Sequence, residues 1–378
     1  MKINKILISP QEYKESLTGI EVAKAMKEGI HDFDKNIKIE LAPVADGGDG
    51  TLQTMVDVTN GEIISKKVQN PIGKIVNSEW GKLGDNKTAV IEMAKASGLA
   101  LLKDNEKSAL NTSTFGTGQL FKNALDLGIK NFIVGIGGSA TNDGGAGFIS
   151  ALGAKLLDKN DATVKPYGAN LHKITKIDLS NFDKRINDIT VNVACDVNNT
   201  LCGEHGASAI FGPQKGASPS DVKLLDSNLL HWANIIKSQF NKDILNVPGS
   251  GAAGGLGGGL MAFANAKLSS GADIILNSLN YDSKLDGVDL VIVGEGQTDK
   301  STQFNKSPVA VAERAKRLGI PVICISGSLG EGYLDSSSHG INAFFSIVNK
   351  PMSLDIALNN AYDLISKSTK EIYKTLII

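Results

Sequence analysis

At both ends of this chain, short apolar segments run straight into glycine-containing loops and then into helical patterns, and that order is what most restricts the fold. Residues 6–8 are such a segment, and the capping box Thr18-x-x-Glu21 then opens a helix with Val22, Ala25, Met26 and Ile30 on one face. Residues 37–44 alternate as a strand into Asp46-Gly-Gly-Asp-Gly50, and Leu52, Met55 and Val56 predict a second helix. The C-terminal quarter repeats the logic. Residues 290–293 form a buried-type strand ending at Gly294-Glu-Gly296, and Pro308 opens a helix that closes at Gly319. Strands at 322–325 and 343–348 follow, then a single terminal helix from Ser353. Alternation of this kind predicts a parallel sheet covered on both faces.

The middle has a different texture. Turn signals at Asn70-Pro-Ile-Gly73 and Gly84-Asp-Asn86 predict antiparallel pairing over residues 65–93. Mixed elements follow: a helix over 116–127 closed by Gly128, strands at 132–136 and 191–194, and a long amphipathic helix over 219–240. The expected organisation is an α/β protein in which both termini (1–64 plus 287–378) form one discontinuous domain and residues 65–286 form an inserted mixed α/β domain.

Glycine is the compositional outlier: 41 of 378 residues, about 11% against a usual level of about 7%. The surplus is concentrated in 46–50, 135–147 and 249–259. A glycine-rich loop between a strand and a helix turns its amides inward and suits anions. Charge adds little, because 39 basic against 40 acidic residues leave −1 and no field that would recruit nucleic acid or anionic lipid. With three arginines among the 39 basic residues, a phosphate would be held by lysine, backbone amides or a metal. No apolar run reaches the length of a bilayer span and no signal pattern precedes residue 5, so a cytoplasmic protein without membrane or nucleic-acid partners, monomeric or weakly dimeric, is expected. Cys195, Cys202 and His205 lack the close pairing of a structural zinc site.

Acidic residues stand at strand ends or inside the glycine loops: Asp46, Asp143, Asp196, Glu295 and, just beyond, Asp299. Phosphoryl transfer needs one or two carboxylates for magnesium and another to orient the attacking hydroxyl. Any one of them could equally serve an ordinary Asp-Gly turn. Lys14 and Lys306 follow strand ends closely enough to face a phosphate. The expected catalytic set is Asp46, Lys14, Asp299 and Asp143. Phosphate contacts are expected from Gly137, Gly138, Ser139, Thr141, Asn142, Gly144, Gly145, Gly254, Gly255 and Lys306, and Mg2+ is expected at Asp196 and Glu295. A competing pattern is Gly135-x-Gly137-x-x-Ala140 with Asp158 further on, which matches a dinucleotide fingerprint.

Seven motifs in order, among them Val44-Ala-Asp-Gly-Gly-Asp-Gly-Thr51, Gly137-Gly-Ser-Ala-Thr-Asn-Asp-Gly-Gly-Ala-Gly147, Phe211-Gly-Pro-Gln-Lys-Gly-Ala217 and Gly251-Ala-Ala-Gly-Gly-Leu256, resemble the bacterial glycerate kinase family. The resemblance spans essentially the whole chain. It implies ATP-dependent phosphorylation of glycerate, with a flavodoxin-like domain from both termini and a second α/β domain inserted. Two departures stand out: Gln11 where the family has an acid, and Gln297 where it has an arginine. A Gln11–Gln297 hydrogen bond replacing an ion pair is expected. A nicotinamide-dependent oxidoreductase and a non-catalytic sugar-acid-binding regulator are the alternatives of other classes.

Overall fold

The computed structural model describes residues 3–48, 50–304 and 306–378; Asp49 of the first glycine motif lies outside them. The chain divides into two compact units, Met1–Asp46 with Gln53–Asn60 and Ala272–Ile378, and Gly47–Leu52 with Gly61–Gly271.

In the first unit five strands, all parallel, lie in the order Ala343–Ser346, Val322–Ser326, Leu290–Gly294, Lys5–Pro10, Lys38–Leu41. Numbered along the chain this is 2-1-3-4-5, the flavodoxin-like order, which reverses between Lys5–Pro10 and Leu290–Gly294. Residue alternation builds both faces. Ile6 and Ile8 pack with Val22, Met26, Ile365 and Ile372 from the helices Gly19–His31 and Ala361–Leu376. Leu7 points to the opposite face, among Val291, Val309, Val311 and Tyr281. The capping box forms as read: the Thr18 side chain accepts from the Glu21 amide, and Glu21 accepts from the Thr18 amide. The expected single terminal helix is two, Leu354–Asn359 and Ala361–Leu376. Asn360, with φ −111° and ψ 13°, breaks the run, and its side-chain amide donates to the Ile356 carbonyl.

The second unit holds a six-stranded sheet ordered Lys267–Ser269, Thr190–Ala194, Asn131–Gly135, Thr88–Glu92, Ile75–Lys82, Glu62–Gln69. The first four are parallel and the last two join antiparallel, as the turn signals predict. Its core carries the large aromatic residues, with Phe121 stacked on Phe132 at 4.0 Å between ring centroids and Trp232 fully buried. The helix Pro219–Phe240 is capped by Ser218 and Asp221. The segment 47–52 belongs to this unit, tied down by the Leu52 amide donating to Glu92 Oε1 at 2.8 Å.

Candidate active site

In open parallel sheets, ligands bind beyond the carboxyl ends of the strands, where the strand order reverses. The first unit has a cleft of about 660 Å³ at that place. Lys5–Pro10 delivers Gln11 and Lys14 to it, and Leu290–Gly294 delivers Glu295, Asp299 and, further along, Lys306. Asp46 lines the same cleft. Five residues read from the sequence as site residues, Lys14, Asp46, Glu295, Asp299 and Lys306, are thus brought together in one unit.

Their environments differ. Glu295 is 5% exposed, and its Oε1 accepts from the Thr302 hydroxyl at 2.7 Å and the Thr298 hydroxyl at 3.1 Å. Lys306 Nζ stands 3.8 Å from Oε2. Burial pushes the Glu295 carboxyl up, against the pull of the Thr302 hydroxyl and the Lys306 charge. Asp299 is held below the usual carboxylate range, first by the Ser301 hydroxyl at 2.5 Å; it also accepts the Ser301 amide at 2.7 Å. The expected Gln11–Gln297 pair does not form. Gln11 donates to Asp46 Oδ2 at 2.9 Å, a charge-assisted bond stronger than one between two neutral amides, and its Oε1 is buried without a partner. Gln297 pairs by backbone with Ser328, its side-chain amide lying against Gly330.

In the second unit the two long glycine loops pack on each other, which corrects part of the expected phosphate cradle. The Gly144 amide donates to the Gly254 carbonyl at 3.0 Å, and the amides of Gly145 and Gly147 donate to Asp143. A Cβ on Gly254 would lie 1.9 Å from the Thr141 carbonyl oxygen, and one on Gly144 would lie 2.6 Å from the Trp232 ring. Gly144, Gly145, Gly254 and Gly255 are all buried, so these glycines serve close backbone approach within the unit and present no surface to an anion. Gly137 and Gly138, at the tip of the loop, are exposed, and a Cβ at Gly137 would meet nothing within 4 Å. Asp143 is likewise corrected. It is fully buried and accepts from the Thr114 amide, the hydroxyls of Thr114 and Ser113, and two loop amides, so its carboxylate organises the loop. Burial pushes its carboxyl up. Asn142 is also buried, its Nδ2 donating to Ser208 Oγ at 3.0 Å. Asp196 is exposed beyond Thr190–Ala194 and accepts from the Gly271 amide at 3.1 Å. The dinucleotide pattern fails on topology. Asp158 follows Lys155–Leu157, a strand of a separate two-stranded sheet paired with Lys176–Asp178, where a ribose-binding acid would end a strand of the main sheet.

Sequence reasoning missed Lys215. It is 1% exposed and donates to Ser139 Oγ at 2.8 Å and the Thr141 carbonyl at 2.7 Å, fastening the loop from beneath. Burial lowers its ammonium to about 7, although the Asp143 charge pulls the other way. The motif 211–217 contained it, and nothing in the local pattern distinguished it from a surface lysine.

A family model described as "Glycerate kinase family" matches residues 6–377. A glycerate kinase of Halalkalibacterium halodurans is 46% identical over 370 residues, covering 98% of this chain and 97% of that one. A glycerate 2-kinase of Escherichia coli K12 is 46% identical over 374 residues, covering 99% and 98%. A crystal structure of a Salmonella typhimurium LT2 protein, described provisionally as glycerate kinase 2, superposes with a TM-score of 0.92 at 42% identity, covering 99% of this chain and 98% of that one. Fold, cleft and relatives together define an ATP-dependent small-molecule kinase. The chain belongs to the glycerate kinase family.

Proposed function

We propose that the protein transfers the γ-phosphoryl group of ATP to the 2-hydroxyl of glycerate. The observation that carries the reading is the gathering of Lys14, Lys306, Asp46, Glu295 and Asp299 at the switch-point cleft of the first unit, in a chain 46% identical to a relative named glycerate 2-kinase. The acid's hydroxyl oxygen attacks the γ-phosphorus, the bond to the β–γ bridging oxygen breaks, ADP leaves with that electron pair, and the hydroxyl proton passes to a carboxylate. Asp46 suits that carboxylate role, its side chain oriented by Gln11. Asp299 suits it less, because Ser301 occupies Oδ1 and holds it as the anion.

Lys14 and Lys306 supply positive charge for phosphate or for the acid's carboxylate, and Glu295 orients Lys306. Gly137 and Gly138, with Ser139 held from beneath by Lys215, are the part of the second unit's loop assigned to an anion; Thr141, fully buried, is not. Among the described residues no three acidic, imidazole or thiol groups converge to cage a metal. The largely buried carboxylate of Glu295 lines the cleft and suits magnesium, an ion that keeps waters and takes one or two carboxylates beside the nucleotide's own phosphates. Glu295, at the cleft of the first unit, and Asp196, in the second, are each a candidate carboxylate for it. Bound there, the ion would neutralise charge on the transferring group. Phosphorus NMR of the product from ATP, magnesium and D-glycerate tests the assignment: 2-phosphoglycerate is expected, 3-phosphoglycerate would refute the regiochemistry, and no phosphoglycerate would refute the function.

A further inference from the structure

The switch-point cleft is larger than glycerate needs. It follows the carboxyl edge of the sheet from Gln11, after Lys5–Pro10, to Ile347 and Val348, after Ala343–Ser346. That is three strand spacings, about 14 Å, several times the reach of a three-carbon acid. Its two ends differ in chemistry. All the ionisable groups assigned above lie on the segments after Lys5–Pro10 and Leu290–Gly294, together with Asp46. The far end is walled by Ile347, Val348, Met352, Leu354 and Ala357. Part of this wall stands open: Ile347 is buried in the core and Met352 packs against it, but the helix Leu354–Asn359 has no buried residue, Leu354 is 70% exposed and Val348 39%. The helix is nevertheless fixed in place, capped by Ser353 and tied to the polar end by Ser16 Oγ donating to the Leu358 carbonyl at 2.7 Å. An amphipathic ligand with an anionic chain at one end and a flat apolar group at the other matches this distribution.

We infer that the apolar end of this cleft receives the purine base of the nucleotide, with its phosphates directed toward Lys14 and Lys306. The inference rests on the ATP-dependent reading above and adds where the nucleotide lies: in the unit built from the chain termini. The base covers the exposed side chains of Leu354 and Val348, and its phosphates point to the charged end, where the short acid binds.

Leu354→Asp tests it, because a residue this exposed can be exchanged without disturbing the core. Titration calorimetry with MgADP should show affinity lowered at least about tenfold, with the KM for ATP raised in parallel and the KM for D-glycerate within about twofold. Inorganic tripolyphosphate, which carries the charge without the base, should bind wild type and variant alike. Ile356→Asp alters another exposed apolar residue of the same helix, one that does not line the cleft, and should leave MgADP affinity unchanged. Unchanged MgADP affinity in Leu354→Asp, an equal loss in Ile356→Asp, or a rise confined to the KM for glycerate would each overturn the placement. Failure of the wild type to phosphorylate glycerate would overturn the functional reading instead, and the MgADP titration would still decide where a nucleotide binds.

Discussion

Lys215 gives the second unit a pH dependence that can be worked out from its surroundings. Its ordinary pKa of 10.5 falls to about 7 in the fold because the ammonium is fully buried. Between these two values the unfolded chain keeps the proton and the folded chain has lost it, so the unfolded state binds more protons and stability rises with pH. The slope is at most about 1.4 kcal/mol per pH unit. For a unit of this size, where 1 kcal/mol moves the midpoint by about 2–4 °C, that is about 3–5 °C per pH unit. Lys215→Met keeps most of the stem and removes the titration. It also leaves Ser139 Oγ and the Thr141 carbonyl without their donor, at about 1–3 kcal/mol each. The variant should therefore be clearly less stable than wild type near pH 9, and the gap should shrink by several degrees toward pH 6, where wild type carries the cost of a buried charge. Both tryptophans, Trp80 and Trp232, are buried in the second unit, so thermal unfolding followed by their fluorescence reports that unit. Wild-type and variant midpoints that run parallel across this pH range would refute the reasoning.

Two further outcomes test the packing of the glycine loops. Gly254→Ala places a methyl group 1.9 Å from the Thr141 carbonyl at a residue with φ +67°, and should cost about 4 kcal/mol or more, seen as a collapse of the fluorescence-monitored midpoint. Trp232→Phe removes the indole donor to the buried Gly144 carbonyl, a 3.0 Å bond, and should cost about 1–3 kcal/mol, with Trp80 left as the probe.

What the sequence made legible were features whose causes are local or periodic. Thr18 and Glu21 announce a helix start within four residues, and the apolar spacing of 219–240 foretells a helix whose ends match. Lys14 and Glu295 could be set at strand ends from sequence, and they line one cleft because a parallel sheet puts all its carboxyl ends at one edge. Contacts distant in the chain were not legible. Glycine density foretold loops but not that Gly144 and Gly254 would bond to each other across 110 residues, since a glycine admitting a ligand and one admitting a neighbouring backbone look alike in sequence. Lys215 reads as a surface lysine until the fold buries it beneath the loop. Gln11 offered two partners, and the choice of Asp46 over Gln297 follows from the closeness of a charged acceptor, which spacing does not encode.

The central claim is that the γ-phosphoryl group of ATP passes directly to glycerate in the cleft that Asp46 lines. It is tested most directly by measuring ADP released against phosphoglycerate formed, for the wild type and for Asp46→Asn with its fold verified by circular dichroism. The account predicts one phosphoglycerate per ADP in wild type and a rate at least about a hundredfold lower in the variant. ADP release without phosphoglycerate, or a near-normal rate in folded Asp46→Asn, would contradict it.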